Sequence, residues 1–164
     1  MYMFEHKLLY KFQSGFVSDH STSHQLIELY HKICISLENG QVTVAVFCDI
    51  SKAFDRLWHK GLIEKFKSYG INGKLLQWFK EYISERKQQV LLNNSMISIL
   101  GTLKAGVPQG SVLDSLLFLL FINDIADDIQ SLVILFADDS SLMFSSTNPL
   151  EVEDRLKLGS SCFR

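Results

Sequence analysis

Two adjacent acids, Asp138-Asp139, stand between two apolar stretches, Val133 to Ala137 and Ser141 to Phe144. A third acid, Asp49, ends the β-branched run Val42-Thr43-Val44-Ala45-Val46-Phe47-Cys48. Taken singly, each has an ordinary reading. Asp favours hairpin turns through hydrogen bonds to its own backbone, and it is a common helix N-cap. The chain's other doublet, Asp127-Asp128 near a helix end, reads as a solvated pair, and Asp55 reads as a surface acid. Brought together, Asp49, Asp138 and Asp139 would behave differently. Clustered carboxylates without a cation repel strongly. Mg²⁺ favours such oxygen ligands, and two ions about 3.5–4 Å apart activate an attacking oxygen and stabilise a leaving one. The chemistry is then phosphoryl or nucleotidyl transfer, on the condition that Asp49 lies within about 10 Å of the doublet, the reach of shared ions.

A glycine-flanked loop, Gly106-Val107-Pro108-Gln109-Gly110, permits close approach of a ligand to backbone N–H groups. Alone it reads as a loop that starts a helix, and Ser111-Val112-Leu113-Asp114 has the form of a capping box.

The elements that must position these residues follow from periodicity. Apolar residues at Leu26, Ile27, Leu29, Tyr30, Ile33 and Leu37 predict a helix over Ser23 to Leu37, stopped by Asn39-Gly40. Val42 to Cys48 is almost continuously apolar, which predicts a strand buried on both faces. Helices are expected over Lys60 to Tyr69, closed by Gly70, and over Gly73 to Ser84, where Trp78, Phe79 and Tyr82 read as core packing. Gln88 to Leu92 and Ile97 to Leu103 form a hairpin across Asn93-Asn94, and an apolar helix runs from Ser111 to about Ile125. Val133 to Ala137 and Ser141 to Phe144 are the strands of the acidic hairpin. The pattern is α+β, an antiparallel sheet backed by helices.

Composition sets wide bounds. At 164 residues one good core is possible and a second full domain is not expected. A hydrophobic fraction of 47% with 21% charged residues argues against a disordered chain. The net charge of −2 provides no basic field for nucleic acid, although a site built of carboxylates itself lowers the charge. Cys34, Cys48 and Cys162 lack C-x-x-C spacing, so neither a disulfide framework nor a zinc site is expected, and an intracellular setting fits. No zinc site is expected of His20, His24 and His31, and His59 reads as structural. The first residues lack signal-peptide order, and the run Leu116 to Ile122 is far short of the roughly 20 residues that cross a bilayer, so no membrane is expected.

The ordered set Val46-Phe47-Cys48-Asp49-Ile50-Ser51-Lys52-Ala53-Phe54-Asp55, then Gly106-Val107-Pro108-Gln109-Gly110-Ser111, then Phe136-Ala137-Asp138-Asp139 resembles the reverse transcriptase of non-LTR (LINE-type) retrotransposons. Gln13-Ser14-Gly15-Phe16 with Ser21-Thr22, the stretch Trp78 to Arg86, and Phe121-Ile122-Asn123-Asp124-Ile125 agree as well. The similarity runs from about Gln13 to Leu150. It implies an α+β fold with a polymerase palm-like antiparallel sheet backed by helices and partial fingers. The fingers remnant would cover about residues 1–40 and the palm about 41–150, with the thumb absent. It implies an RNA-directed DNA polymerase core adding dNTPs to a primer 3′-hydroxyl, with two Mg²⁺ ions, or Mn²⁺, as cofactors. Asp49 and Asp138 would be the main metal ligands and Asp139 the third acid. Phe54 would occupy the steric-gate position that excludes a ribose 2′-hydroxyl, with Ala53 its small neighbour; read without the resemblance, Phe54 is equally a core aromatic. Gln109 and Gly110 would line the nucleotide and template pocket. The implied partners are an RNA template, a DNA primer and dNTPs, with thumb and endonuclease on a longer parent product.

Two positions depart from the family pattern. Val17 stands where the family commonly has Arg, and Asp114-Ser115 where it usually reads Gly-Pro. Asp114 would either repel a triphosphate or cap its helix. These departures keep two other readings open. One is a catalytically inactive retrotransposon fragment acting at most as a nucleic-acid-binding or interaction module. The other, a different two-metal enzyme such as a nuclease, leaves Phe54 and the Pro-Gln-Gly loop without purpose.

Overall fold

The β-branched run after Gly40 forms strand β1 (Val42–Asp49), and its partner is the strand that begins on the second acid of the doublet. The computed structural model describes residues 6, 8–92, 96–127 and 129–162. In chain order it contains α1 (Thr22–Glu38), β1, α2 (Ala53–Arg56), α3 (His59–Ser68), α4 (Gly73–Ile83), β2 (Lys87–Gln88), β3 (Leu91–Leu92), β4 (Met96–Ile97), β5 (Gly101–Thr102), α5 (Val112–Ile122), β6 (Leu132–Phe136), β7 (Asp139–Ser146) and α6 (Pro149–Cys162). The chain divides into two compact units, Met1–Ser51 with Ile122–Arg164, and Lys52–Phe121.

The first unit is built on an antiparallel sheet of order β1-β7-β6. Its centre is apolar on both faces, with Val133, Ile134, Leu135, Leu142 and Met143 all buried. Helix α1 lies on one face, where Leu29 packs with Ile134 and Met143 and Ser36 Oγ donates to Ser145 Oγ at 2.9 Å. Helix α6, which the periodicity did not reveal, packs on β7 and β1; its Arg155 guanidinium lies over the Phe144 ring. Ser21 caps α1 by accepting from the His24 N–H, and at the other end Gly40 (φ +66°) closes a Schellman motif, with Gly40 N–H donating to Leu37 O and Gln41 N–H to Ser36 O.

One expectation fails here. Among the described residues β1 is an edge strand, hydrogen-bonded to a strand on one side only, and none of its residues is fully buried; Phe47 is 68% exposed. A continuous apolar run records affinity for a core but not how many neighbours the sheet supplies. The same narrow sheet covers little of α1. Of its six stripe residues only Leu29 is buried, while Leu26, Ile27, Tyr30 and Leu37 remain exposed.

The second unit is helical with a hairpin arm. Helices α3 and α4 meet through Phe66 and Phe79, whose ring centroids are 4.5 Å apart, and Leu62, Leu76 and Ile83 are buried with them. Gly70 (φ +80°) ends α3 with a second Schellman motif, Ile71 N–H to Phe66 O and Gly70 N–H to Lys67 O. Four consecutive buried residues of α5, Leu117 to Leu120, show that this helix is covered all round. It ends at Ile122, short of the expected Ile125, and the following residues form turns. Trp78 and Tyr82 are not core residues as expected: Trp78 is 50% exposed and stacks on Tyr82, leaving Phe79 alone buried. The hairpin is present but split. Lys87 and Gln88 pair with Thr102 and Gly101, and Leu91 pairs with Ile97, so one strand gains a residue and a bulge lies between the two ladders. Asn93-Asn94 lie outside the described residues. No helix among the described residues is long and apolar enough to cross a membrane.

Candidate active site

Asp49 occupies the last position of β1 and Asp139 the first of β7, and the ladder pairs them directly. Opposed residues of an antiparallel pair project to the same face, with Cα atoms roughly 4.5–5.5 Å apart. The acid that closes one strand and the second acid of the doublet therefore meet well inside the reach required. In the hairpin β6–β7, Phe136 pairs with Asp139, which leaves Ala137 and Asp138 as a two-residue turn. Ile50 N–H donates to the Asp138 carbonyl at 3.3 Å, so the chain leaving β1 is tied to that turn. Asp49 and Asp139 are exposed and Asp138 is half-buried.

The donor set is all carboxylate oxygen, which suits a hard divalent cation. The arrangement is a cross-strand pair with a neighbouring turn acid. Among the described residues, no three His, Cys, Asp or Glu side chains are gathered as a ready-made metal site. Like charges at adjoining positions oppose closing such a set. The face that carries Asp49 and Asp139 opens into a cavity of about 400 Å³, lined also by Phe47, Ile134, Phe136 and Leu26.

The turn is held from outside the hairpin. Ala137 has φ +56°, a left-handed conformation that two-residue hairpin loops demand and that a residue with a Cβ adopts at a cost. Alongside it runs the segment Phe12 to Gly15. Ser14 N–H donates to Leu135 O at 2.9 Å and Leu135 N–H to Phe12 O at 3.0 Å, so this segment covers the outer edge of β6. Gln13 is 4% exposed, and its Oε1 accepts from Gly15 N–H at 2.7 Å and Ala137 N–H at 3.2 Å. A Cβ on Gly15 would lie 2.0 Å from Ala137 N. Sequence reasoning named Gln13 and Gly15 only as part of a motif. A polar residue and a glycine beside apolar neighbours were a signal without a partner until the fold supplied one.

In the second unit the residues expected around a nucleotide are brought together. Val107 N–H donates to Phe54 O at 2.9 Å and Gly106 N–H to Leu57 O at 2.8 Å, stitching the glycine-flanked loop to α2. Gly106 (φ +86°) fits because a Cβ there would be 2.8 Å from Asp55 O. His59 Nε2 donates to the Gly106 carbonyl at 2.7 Å, the structural role expected of it. Gln109 Nε2 donates to Asp55 Oδ1 at 3.1 Å, Gly110 has φ +97°, and Ala53 is buried. Phe54 is half-buried and its ring stacks on Phe118 at 4.7 Å between centroids.

Asp114 caps its helix. Ser111 N–H donates to Asp114 Oδ2 at 2.7 Å, Asp114 N–H donates to Ser111 Oγ at 3.3 Å, and Asp114 is 2% exposed. Tyr82 Oη also donates to Asp114 Oδ1 at 3.4 Å. This is the reciprocal capping box, and it engages both carboxylate oxygens in the fold. Asp114→Ala is expected to cost about 1–2 kcal/mol in urea unfolding, through a lost cap and a half-buried Tyr82 hydroxyl left with fewer partners.

The family described as "Reverse transcriptase (RNA-dependent DNA polymerase)" matches residues 2–158. The chain is 37% identical over 158 residues to "Probable RNA-directed DNA polymerase from transposon BS" of Drosophila melanogaster, covering 88% of this chain and 17% of that protein. It is 34% identical over 155 residues to "RNA-directed DNA polymerase from mobile element jockey" of Drosophila funebris, covering 90% of this chain and 17% of that protein. It thus spans 17% of the length of these curated relatives. Among solved structures, a telomerase from Candida tropicalis in complex with a TWJ fragment of telomeric RNA has the same fold, with a TM-score of 0.59, 14% identity, and coverage of 89% of this chain and 27% of that one.

Proposed function

Because this chain belongs to the reverse transcriptases, as the domain found in non-LTR (LINE-type) retrotransposons, we propose that it is the catalytic core of an RNA-directed DNA polymerase that adds dNTPs to a primer 3′-hydroxyl. The observation that carries this reading is the direct opposition of Asp49 and Asp139, with Asp138 one residue earlier in the turn.

Asp49, Asp138 and Asp139 would hold two Mg²⁺ or Mn²⁺ ions. When bound, such ions favour deprotonation of an attacking hydroxyl and offset charge on a leaving phosphate. The strands present the acids at one end of a sheet whose buried centre fixes their backbone. In the reaction a bond forms between the primer 3′-oxygen and the α-phosphorus, the α–β bridging P–O bond breaks, and pyrophosphate leaves. Phe54 is assigned to exclusion of the ribose 2′-hydroxyl, supported by its stacking on Phe118, which limits where the ring can move. Ala53 is the small neighbour that leaves room there, and Gln109 and Gly110 are assigned to the nucleotide and template. RNA is the template and DNA the primer.

One observation favours the catalytically inactive reading: the described acids are not gathered as a set of three. Extension of oligo(dT) on poly(rA) with Mg²⁺ or Mn²⁺ separates the readings, with an Asp138→Asn, Asp139→Asn variant as comparison. The expected result is incorporation by the parent that drops to background in the variant. Background signal from both supports the inactive module, and Mn²⁺-dependent cleavage without synthesis points to a nuclease.

A further inference from the structure

We propose that Gln13 is the positioning residue of the acidic turn, its amide oxygen holding through the Ala137 N–H the backbone that presents Asp138 and Asp139. The proposal takes from the functional reading only that this turn is part of the site.

One N–H of the turn needs a partner from outside the ladder. In a two-residue hairpin loop the first loop residue lies outside the ladder, so its N–H needs another partner. Ala137 is 7% exposed, which leaves little access to water, and Gln13 Oε1 supplies the acceptor at 3.2 Å. Ala137 also sits at φ +56°, a conformation that persists in a non-glycine residue only where the surroundings over-determine it. Three contacts do so from one short segment. Gln13 Oε1 bonds Gly15 N–H as well as Ala137 N–H, which orients the amide. Ser14 is bonded to Leu135, which fixes the segment along β6. Gly15, with no side chain, lets the backbone sit directly against Ala137.

Only one end of the Gln13 amide is used. Its Nε2 is buried and has no hydrogen-bond partner among the described residues, so what the site asks of residue 13 is an acceptor oxygen on a three-carbon arm. That distinguishes three substitutions. Gln13→Glu keeps an acceptor oxygen on the same arm, so the bond from Ala137 N–H can still form. Gln13→Met keeps the size and loses the acceptor. Gln13→Asn keeps the amide and shortens the arm by one methylene.

The experiment is residue-resolved amide hydrogen exchange on the ¹⁵N-labelled chain, with Mn²⁺ binding followed separately by water-proton relaxation. Gln13→Met is expected to speed exchange at Ala137 and Gly15 about tenfold, the loss of one hydrogen bond. Amides of the β1–β7 ladder keep their rates, and Gln13→Glu returns Ala137 to its parent rate. Mn²⁺ affinity of Gln13→Met is expected to fall by about tenfold, the range for groups that orient metal ligands. Unchanged exchange at Ala137, or acceleration spread evenly over the sheet, overturns the proposal. So does a released Ala137 with undiminished Mn²⁺ affinity, and that result leaves the polymerase reading intact. A parent chain whose Mn²⁺ binding ignores Asp138 and Asp139 sinks the polymerase reading instead, while exchange still decides for or against the clamp. Should Gln13→Met fail to fold, Gln13→Asn carries the same comparison: faster Ala137 exchange supports the clamp and an unchanged rate overturns it.

Discussion

Replacing Asp49 with Asn is expected to stabilise the folded chain when divalent ions are absent and to remove most of its stabilisation by Mg²⁺. The first effect comes from register. Asp49 and Asp139 are directly opposed on one face, and like charges in that position destabilise a sheet by roughly 0.2–1 kcal/mol. Both side chains are exposed, which puts the gain toward the lower end because water and salt screen the repulsion. The second effect has the opposite sign and is larger. A ligand that binds only the folded state adds RT ln(1 + [L]/Kd), about 2.7 kcal/mol at a hundred times Kd. With one of the opposed carboxylates gone, most of that increment goes. The two stability curves therefore cross: the variant leads in EDTA and the parent leads in saturating Mg²⁺. Primer extension by the variant is expected to fall by about 10²–10³, as for removal of one electrostatic group at a reacting centre. Thermal unfolding with and without Mg²⁺ reads the sign directly. A variant less stable than the parent in EDTA, with the same Mg²⁺ response, would mean that the opposed carboxylates do not act as a cation site.

The second large effect is expected at Gly15. A Cβ there would lie 2.0 Å from Ala137 N, 2.7 Å from Ala137 Cα and 2.8 Å from Phe136 C. All three are backbone atoms, so no rotamer change relieves the clash. The segment cannot simply back away either, because Ser14 and Phe12 are hydrogen-bonded to Leu135. Overpacking a fitted interior costs about 1–3 kcal/mol and occasionally more, and here roughly 3 kcal/mol is expected for Gly15→Ala. A domain's whole stability is about 5–15 kcal/mol, so the loss is severe. Gly40→Ala is the internal comparison: open space surrounds that position, and only the left-handed φ of +66° penalises a side chain, at about 1 kcal/mol. Urea midpoints for the two variants separate a steric cause from a conformational one. If Gly15→Ala unfolds no earlier than Gly40→Ala, the close approach of this segment to the turn is not part of the folded state.

Local grammar carried much of the architecture. Gly40 and Gly70 terminate helices where expected, and both do so through the same pair of hydrogen bonds. Ser111 and Asp114 cap α5 reciprocally, so the departure from the family pattern at Asp114 reads as a helix cap. The acids stand at strand ends because β-branched apolar runs stop there, and that was visible in the order of residues. Errors arose wherever burial was inferred from hydrophobicity alone. Trp78 is apolar at helical spacing yet half exposed, and β1 is apolar throughout yet lies at an edge.

The residue order by itself determined where the acids stand at strand ends and turns and which kind of element presents each, because turn preference, capping and periodicity act within a few residues. Tertiary structure alone decided that Asp49 stands opposite Asp139, that β1 lies beside β7 in the sheet, and that Gln13 reaches Ala137 across 124 positions of chain. Strand register and sheet order are settled by which long-range pairs bury the most surface and leave the fewest backbone groups unbonded. That competition involves the whole chain at once, and no window along it contains the answer.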